Sequence, residues 1–172
     1  MKFPGACILF LSCLFLSAPE AFSQKDSARV ARNNIFVEAG GAGGYGSVNY
    51  ERILMAAKNV TIAVRAGLGS YHLTDYANQF NPDVLIPLSV NACYGKNHRV
   101  ELDAGETFAS IVQGDRKESK PARRNTFHTF FSVGYRYHKS KGGINFRCAY
   151  TPIIERNRYY RHWAGISIGY SF

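Results

Sequence analysis

Apolar and polar residues alternate with a period of two along most of the chain. At the carboxy end Ala164, Ile166, Ile168, Tyr170 and Phe172 share one face, and Gly165, Ser167, Gly169 and Ser171 the other. Upstream, Ile144, Phe146, Cys148 and Tyr150 oppose Asn145, Arg147, Ala149 and Thr151. Phe127, Phe131, Val133, Tyr135 and Tyr137 oppose His128, Ser132, Gly134, Arg136 and His138. Val60, Ile62, Val64, Ala66 and Leu68 oppose Thr61, Ala63, Arg65, Gly67 and Gly69. Segments near 34–42, 46–54, 84–94 and 98–111 read the same way, so the pattern predicts eight half-buried strands and little helix. Pro87 marks a local irregularity in its strand.

The breaks between strands sort by parity. Connections after the second, fourth and sixth strands are short (Met55–Asn59, Gly95–Asn97, Ser140–Gly142), and those after the third, fifth and seventh are longer (Ser70–Asp83, Val112–Asn125, Ile154–His162). The first odd connection, at Gly43-Gly44, is the exception and is expected to be a tight turn. Short–long alternation predicts an all-β, eight-stranded, antiparallel up-and-down transmembrane barrel with short periplasmic turns and longer outer loops. Charge supports that orientation. If the apolar face meets lipid, the interior receives Glu38, Glu51, Arg65, Glu101, Asp103, Arg136 and Arg147, the reverse of a soluble barrel. An eight-stranded interior is only wide enough for side chains, so these seven are expected to pair into a plug. Glu106 falls on the lipid face near the outer rim. Tyr50, Tyr94, Tyr135, Tyr137, Tyr170 and Phe172 fall at the inner strand ends and Phe108, Phe127, Tyr150 and Trp163 at the outer, as aromatic girdles do.

The first 23 residues read as a secretory signal: Lys2 supplies the charge, Ala6 to Leu16 the apolar run, and Ala21-Phe22-Ser23 the cleavage pattern, placing the mature start at Gln24. A lipid on Cys13 is a poorer fit. Residues 24–33 form a short lead and 34–172 the barrel. Cys93 and Cys148 remain in the mature chain; a secreted protein could pair them, but the alternation points them to opposite faces. With 21 Lys and Arg against 12 Asp and Glu, the net charge of +9 favours an anionic partner. The cations gather in the outer loops, as Arg116, Lys117, Lys120, Arg123 and Arg124, and as Arg156, Arg158 and Arg161. They read either as a solvated rim or as contacts to lipid A phosphates, which Arg forks bind bidentately. Nucleic acid is not expected, because no stacking platform accompanies the charge.

The ending Ile166-Ser167-Ile168-Gly169-Tyr170-Ser171-Phe172 resembles the carboxy-terminal signal that directs outer-membrane barrels to their assembly machinery, carried by Ile166, Ile168, Tyr170 and Phe172. With Phe36-Val37-Glu38, Ser47-Val48-Asn49-Tyr50-Glu51-Arg52, Ile86-Pro87-Leu88, Gly95-Lys96-Asn97-His98, Gly134-Tyr135-Arg136-Tyr137 and Tyr150-Thr151-Pro152-Ile153, the mature chain is similar to small outer-membrane β-barrel proteins of Bacteroidetes, of the OmpX/OmpA eight-stranded type. That resemblance implies a bacterial outer-membrane barrel of about eight strands and brings no catalytic residues; a monomer among lipid and lipopolysaccharide is the expected state.

Other motifs lead elsewhere and are outweighed. Gly41-Ala42-Gly43-Gly44-Tyr45-Gly46 matches a dinucleotide fingerprint, but Ser47 to Arg52 alternates like a strand, whereas the pyrophosphate needs a helix start there. Asn59-Val60-Thr61 matches a glycosylation sequon at an inner turn. The five His are scattered, so neither metal nor cofactor is expected. His138-Lys139-Ser140 resembles the His-x-Ser of lipid A deacylases, which are also eight-stranded barrels, but it falls at the inner end, away from an outer-leaflet substrate. The reading is a structural or surface-interaction protein and not an enzyme. A deacylase-like enzyme, a soluble lipocalin-like carrier and a small pore are the alternatives.

Overall fold

The structure, a computed structural model, describes residues 31–75, 78–114, 121–155 and 160–172. The proposed signal segment, Arg116, Lys117, Lys120, Arg156 and Arg158 lie outside the described residues. The strands are β1 (Asn33–Gly40), β2 (Gly46–Ala56), β3 (Val60–Ser70), β4 (Val84–Gly95), β5 (His98–Gly114), β6 (Pro121–Tyr137), β7 (Gly143–Tyr150), β8 (Ile153–Glu155), β9 (Tyr160–Arg161) and β10 (Ala164–Ser171). Sequential neighbours pair antiparallel from β1 to β7, β10 pairs with β7, and β1 closes the ring on β10 through registers such as Val37↔Ile168. The result is a closed eight-stranded antiparallel barrel. β8 and β9 form a short hairpin that continues the wall above β7 and β10, with β8 on β6 at Phe130↔Ile153.

Closure follows from the alternation. Each strand has one apolar face and one polar face, and a ring leaves no backbone edge unpaired. Along β5, Glu101 is 0% exposed while its neighbour Leu102 is 59% exposed, and the same alternation separates Arg65 from Leu68 and Arg147 from Phe146. Ile35, Val37, Val90, Ile144, Ile166 and Ile168 point outward with them. Polar inside and apolar outside is the polarity expected of the chain, and no helix among the described residues is long and apolar enough to cross a membrane.

The elements differ from the sequence reading in several places. β5 and β6 run past the rim as a two-stranded ribbon as far as Gly114↔Pro121, so residues 112–114 and 121–125, expected in a loop at Val112–Asn125, are strand. Arg123 and Arg124 therefore stand on a strand and not in a loop. The expected loop at Ile154–His162 contains the β8–β9 hairpin. Pro152, which cannot donate to the ladder, separates β7 from β8. The Gly43-Gly44 turn is larger than a tight hairpin: Gly41–Gly43 form a 3-10 turn that folds over the barrel mouth with all three residues buried. Pro87 interrupts β3–β4 pairing opposite Gly67 and Leu68 without changing register, since Ala66↔Leu88 and Gly69↔Leu85 are continuous. The register shift lies instead in β2, between Ile53 and Met55. Trp163 does not belong to an outward girdle. It is half-buried against Ala42, Phe130 and Ile153 inside the mouth.

Candidate functional site: an ion-paired lumen

The lumen is filled at three levels. Near the short-turn end, Asn145 donates through Nδ2 to Asn34 Oδ1 at 2.7 Å and to Ser171 Oγ at 2.9 Å, and Ser171 meets His138 Nδ1 at 3.3 Å. His138, just past the end of β6, is 1% exposed. Burial, reinforced by the positive charges of Arg99 and Arg136, pulls its pKa down to about 4. Arg99 closes this level, donating to Lys96 O at 2.6 Å, Thr61 Oγ1 at 3.3 Å and Ser140 Oγ at 3.4 Å. The hydroxyl of Ser140 is thus engaged by Arg99 while His138 faces Ser171, and the two do not form the His–Ser pair that a deacylase needs.

The middle level is ionic. The seven charged residues expected to line the interior come together there, from β1, β2, β3, β5, β6 and β7. Glu101 is the hub, with Arg136 Nε at 2.6 Å, Arg147 Nε at 2.8 Å and Arg65 Nη2 at 3.0 Å. Arg65 also reaches Asp103 at 2.7 Å and Glu51 at 3.2 Å. Arg136 grips Glu51 with both terminal nitrogens, Nη2 lying 2.8 Å from Oε2 and Nη1 on Oε1. Arg147 binds Glu38 through Nη1 and Ser132 Oγ through Nη2 at 2.9 Å. Asn91 donates to Glu51 at 2.7 Å, and the ring of Phe36 lies 5.0 Å under the Arg65 guanidinium carbon. Each Arg fork bridges carboxylates from different strands, so the network cross-links the barrel wall through its centre.

Towards the long-loop end the filling turns apolar. The 3-10 turn Gly41–Gly43 drops into the mouth, Thr107 Oγ1 donates to Ala42 O at 3.1 Å, and Ala42, Phe130 and Ile153 pack together. Sequence reasoning did not place Arg99, Phe130 or this plug. The signal for Arg99 was its parity with Glu101 and Asp103 on the same strand. The buried turn had none, because its three residues are small.

The described cations of the outer end and the residues of the terminal signal are exterior. Arg123 is committed to its neighbours, donating to Asn81 Oδ1 at 2.5 Å, Pro82 O at 3.1 Å and Ser110 Oγ at 3.3 Å. Arg161 pairs with Glu155 at 3.1 Å, and Arg124 is exposed without an ion pair among the described residues. Ile166, Ile168, Tyr170 and Phe172 all face outward from β10 and the residue after it. Cys93 is buried in the lumen, Cys148 lies on the outer face, and both are free thiols. No group of three or more metal-ligating side chains occurs among the described residues.

No protein-family model matches the chain, and no curated protein matches it in sequence. Among solved structures, the N-terminal β-barrel domain of Pseudomonas aeruginosa OprF aligns with 86% of this chain and 100% of its own, with a TM-score of 0.57 at 14% sequence identity. At that identity the likeness is one of fold.

Proposed function

We propose that this chain is an outer-membrane barrel with a structural and surface-interaction role: a sealed, ion-paired cylinder whose basic long-loop end contacts lipid A phosphates. The observation that carries the reading is the inverted polarity. A wall of exposed Ile, Val, Leu and Phe side chains surrounds a lumen of buried Glu, Asp and Arg, and only a lipid solvent stabilises that arrangement. The likeness in fold to the OprF barrel domain agrees with it. The outward Ile166, Ile168, Tyr170 and Phe172 suit a terminal assembly signal. Arg124, with Arg116, Lys117 and Lys120 beside it in sequence, supplies the phosphate contacts, whereas Arg123 and Arg161 are already engaged. A structural role is favoured over a deacylase by the separate engagement of His138 and Ser140.

Cell fractionation with a heated-versus-unheated gel tests the first half. The protein should pellet with outer membranes and change mobility on boiling; recovery from the periplasm with no shift would overturn the barrel reading. Retention of purified lipopolysaccharide tests the second. Replacing Arg116, Lys117, Lys120 and Arg124 together by Ala should weaken it about tenfold, given one or two lost charge-assisted hydrogen bonds. Unchanged retention would remove the lipid A contact.

A further inference from the structure

The outer wall of β4–β6 carries a feature that a simple lipid-facing surface does not need. Glu106 is exposed on that wall, with Leu88 opposite it on β4 and Thr129 opposite it on β6, and it makes no ion pair among the described residues. It lies two residues from Phe108, whose ring meets Phe127 at 5.2 Å between centroids, a pair placed as an aromatic belt is placed. Two residues span about 7 Å along a strand, and less along the membrane normal because barrel strands tilt. The acid therefore sits roughly 5 Å below the belt. In the other direction, two residues away at Ala104, it borders a trench of about 510 Å³ that crosses the strands from Ile62 on β3 to Tyr150 on β7. Ala92 and Ala104 leave its floor low, and Val90, Leu102, Phe131 and Tyr150 line it.

We infer that this trench and Glu106 form a site for a single membrane lipid whose head group carries a primary amine. The acyl chain lies in the trench and the ammonium reaches Glu106 from belt level. The inference rests on the proposed outer-membrane location. An acid in a lipid-facing wall is costly unless paired, and here the missing partner has to come from outside the chain. Charge complementarity asks for a cation with N–H donors, and the adjoining trench, which crosses five strands, asks for an apolar tail lying along the wall. The size also points to a lipid and not to a protein. The trench volume falls within the range of small-ligand sites, roughly 300–1,000 Å³, while a stable protein interface needs on the order of 800 Å² from each partner.

The folded full-length protein, released from mixed micelles of phosphatidylethanolamine and phosphatidylglycerol, can be read by native mass spectrometry after its heat shift has been scored. Wild type should retain phosphatidylethanolamine about tenfold over phosphatidylglycerol, the preference a hydrogen bond to a charged group supplies. Glu106→Gln should abolish the preference, and Ala104→Phe, which fills the trench, should lower retention of both lipids; neither change touches the lumen. Equal retention of the two lipids by wild type would overturn the site, and so would a preference surviving in Glu106→Gln. Crosslinking from Thr129→Cys that captures a protein and no lipid would overturn it as well. Absence of the heat shift in wild type would instead sink the membrane reading on which the site depends.

Discussion

Arg136 shows why the lumen is built from Arg and not Lys. Its planar fork reaches Glu51 through both terminal nitrogens while Nε, at 2.6 Å, holds Glu101, so one side chain spans β2 and β5 from β6. A lysine ammonium is a single point and cannot span both carboxylates in that geometry. Taking these charges out of water costs several kcal/mol each, which mutual attraction offsets only while every partner is present. Arg136→Met keeps much of the volume but deprives two fully buried carboxylates of their strongest donor. Arg65, Arg147 and Asn91 remain to them, so the loss should sit near the low end of that for a broken buried pair, about 3 kcal/mol. Urea unfolding in detergent micelles would measure it, with exposed Arg124→Met as the control expected within about 0.5 kcal/mol of wild type. An unchanged midpoint for Arg136→Met would mean that the network contributes nothing to stability.

At the scale of elements, what the sequence made legible was whatever depends on parity. Every member of the ionic level could be placed inside from a period of two, because a one-residue slip would exchange lumen for exterior along a whole strand. Features set by contacts distant in sequence were not legible. The ribbon of β5 and β6 beyond the rim carries little of the apolar alternation that marks the wall, so its polar residues looked like loop. The turn at Gly41–Gly43 looked like a tight hairpin, yet it becomes a lid because its small residues fit the mouth beside Phe130 and Thr107. That lid is coupled to the ionic level. Gly41 has φ +73°, and a Cβ there would come within 2.6–2.7 Å of the Glu38 carboxyl group, which Arg147 holds. Gly41→Ala should therefore destabilise the barrel by about 1–3 kcal/mol through strain and displacement of Glu38. Gly46→Ala, where a Cβ meets nothing within 4 Å, should change little; the two midpoints compared side by side test the assignment, and equal effects would refute it.

For the whole molecule, the two closures act in series, and together they oppose conduction on energetic grounds. An ion crossing the lumen must part Glu101 from at least two of its three guanidinium partners, and must also lift Ala42 off Phe130 and Ile153. Separating two buried pairs costs about 6 kcal/mol if each contributes about 3, which leaves roughly one molecule in twenty-five thousand open at the middle level. Planar-bilayer recordings of the folded wild type should accordingly show a flat baseline at neutral pH. The series arrangement makes a sharper demand on variants. Phe130→Ala loosens the lid at Ala42 and leaves Glu101 with all three guanidinium partners, so it should stay silent. Only a change within the ionic level, such as Arg136→Met, should bring brief openings. Steps from Phe130→Ala but not from Arg136→Met would place the barrier in the turn and reverse the ranking of the two closures.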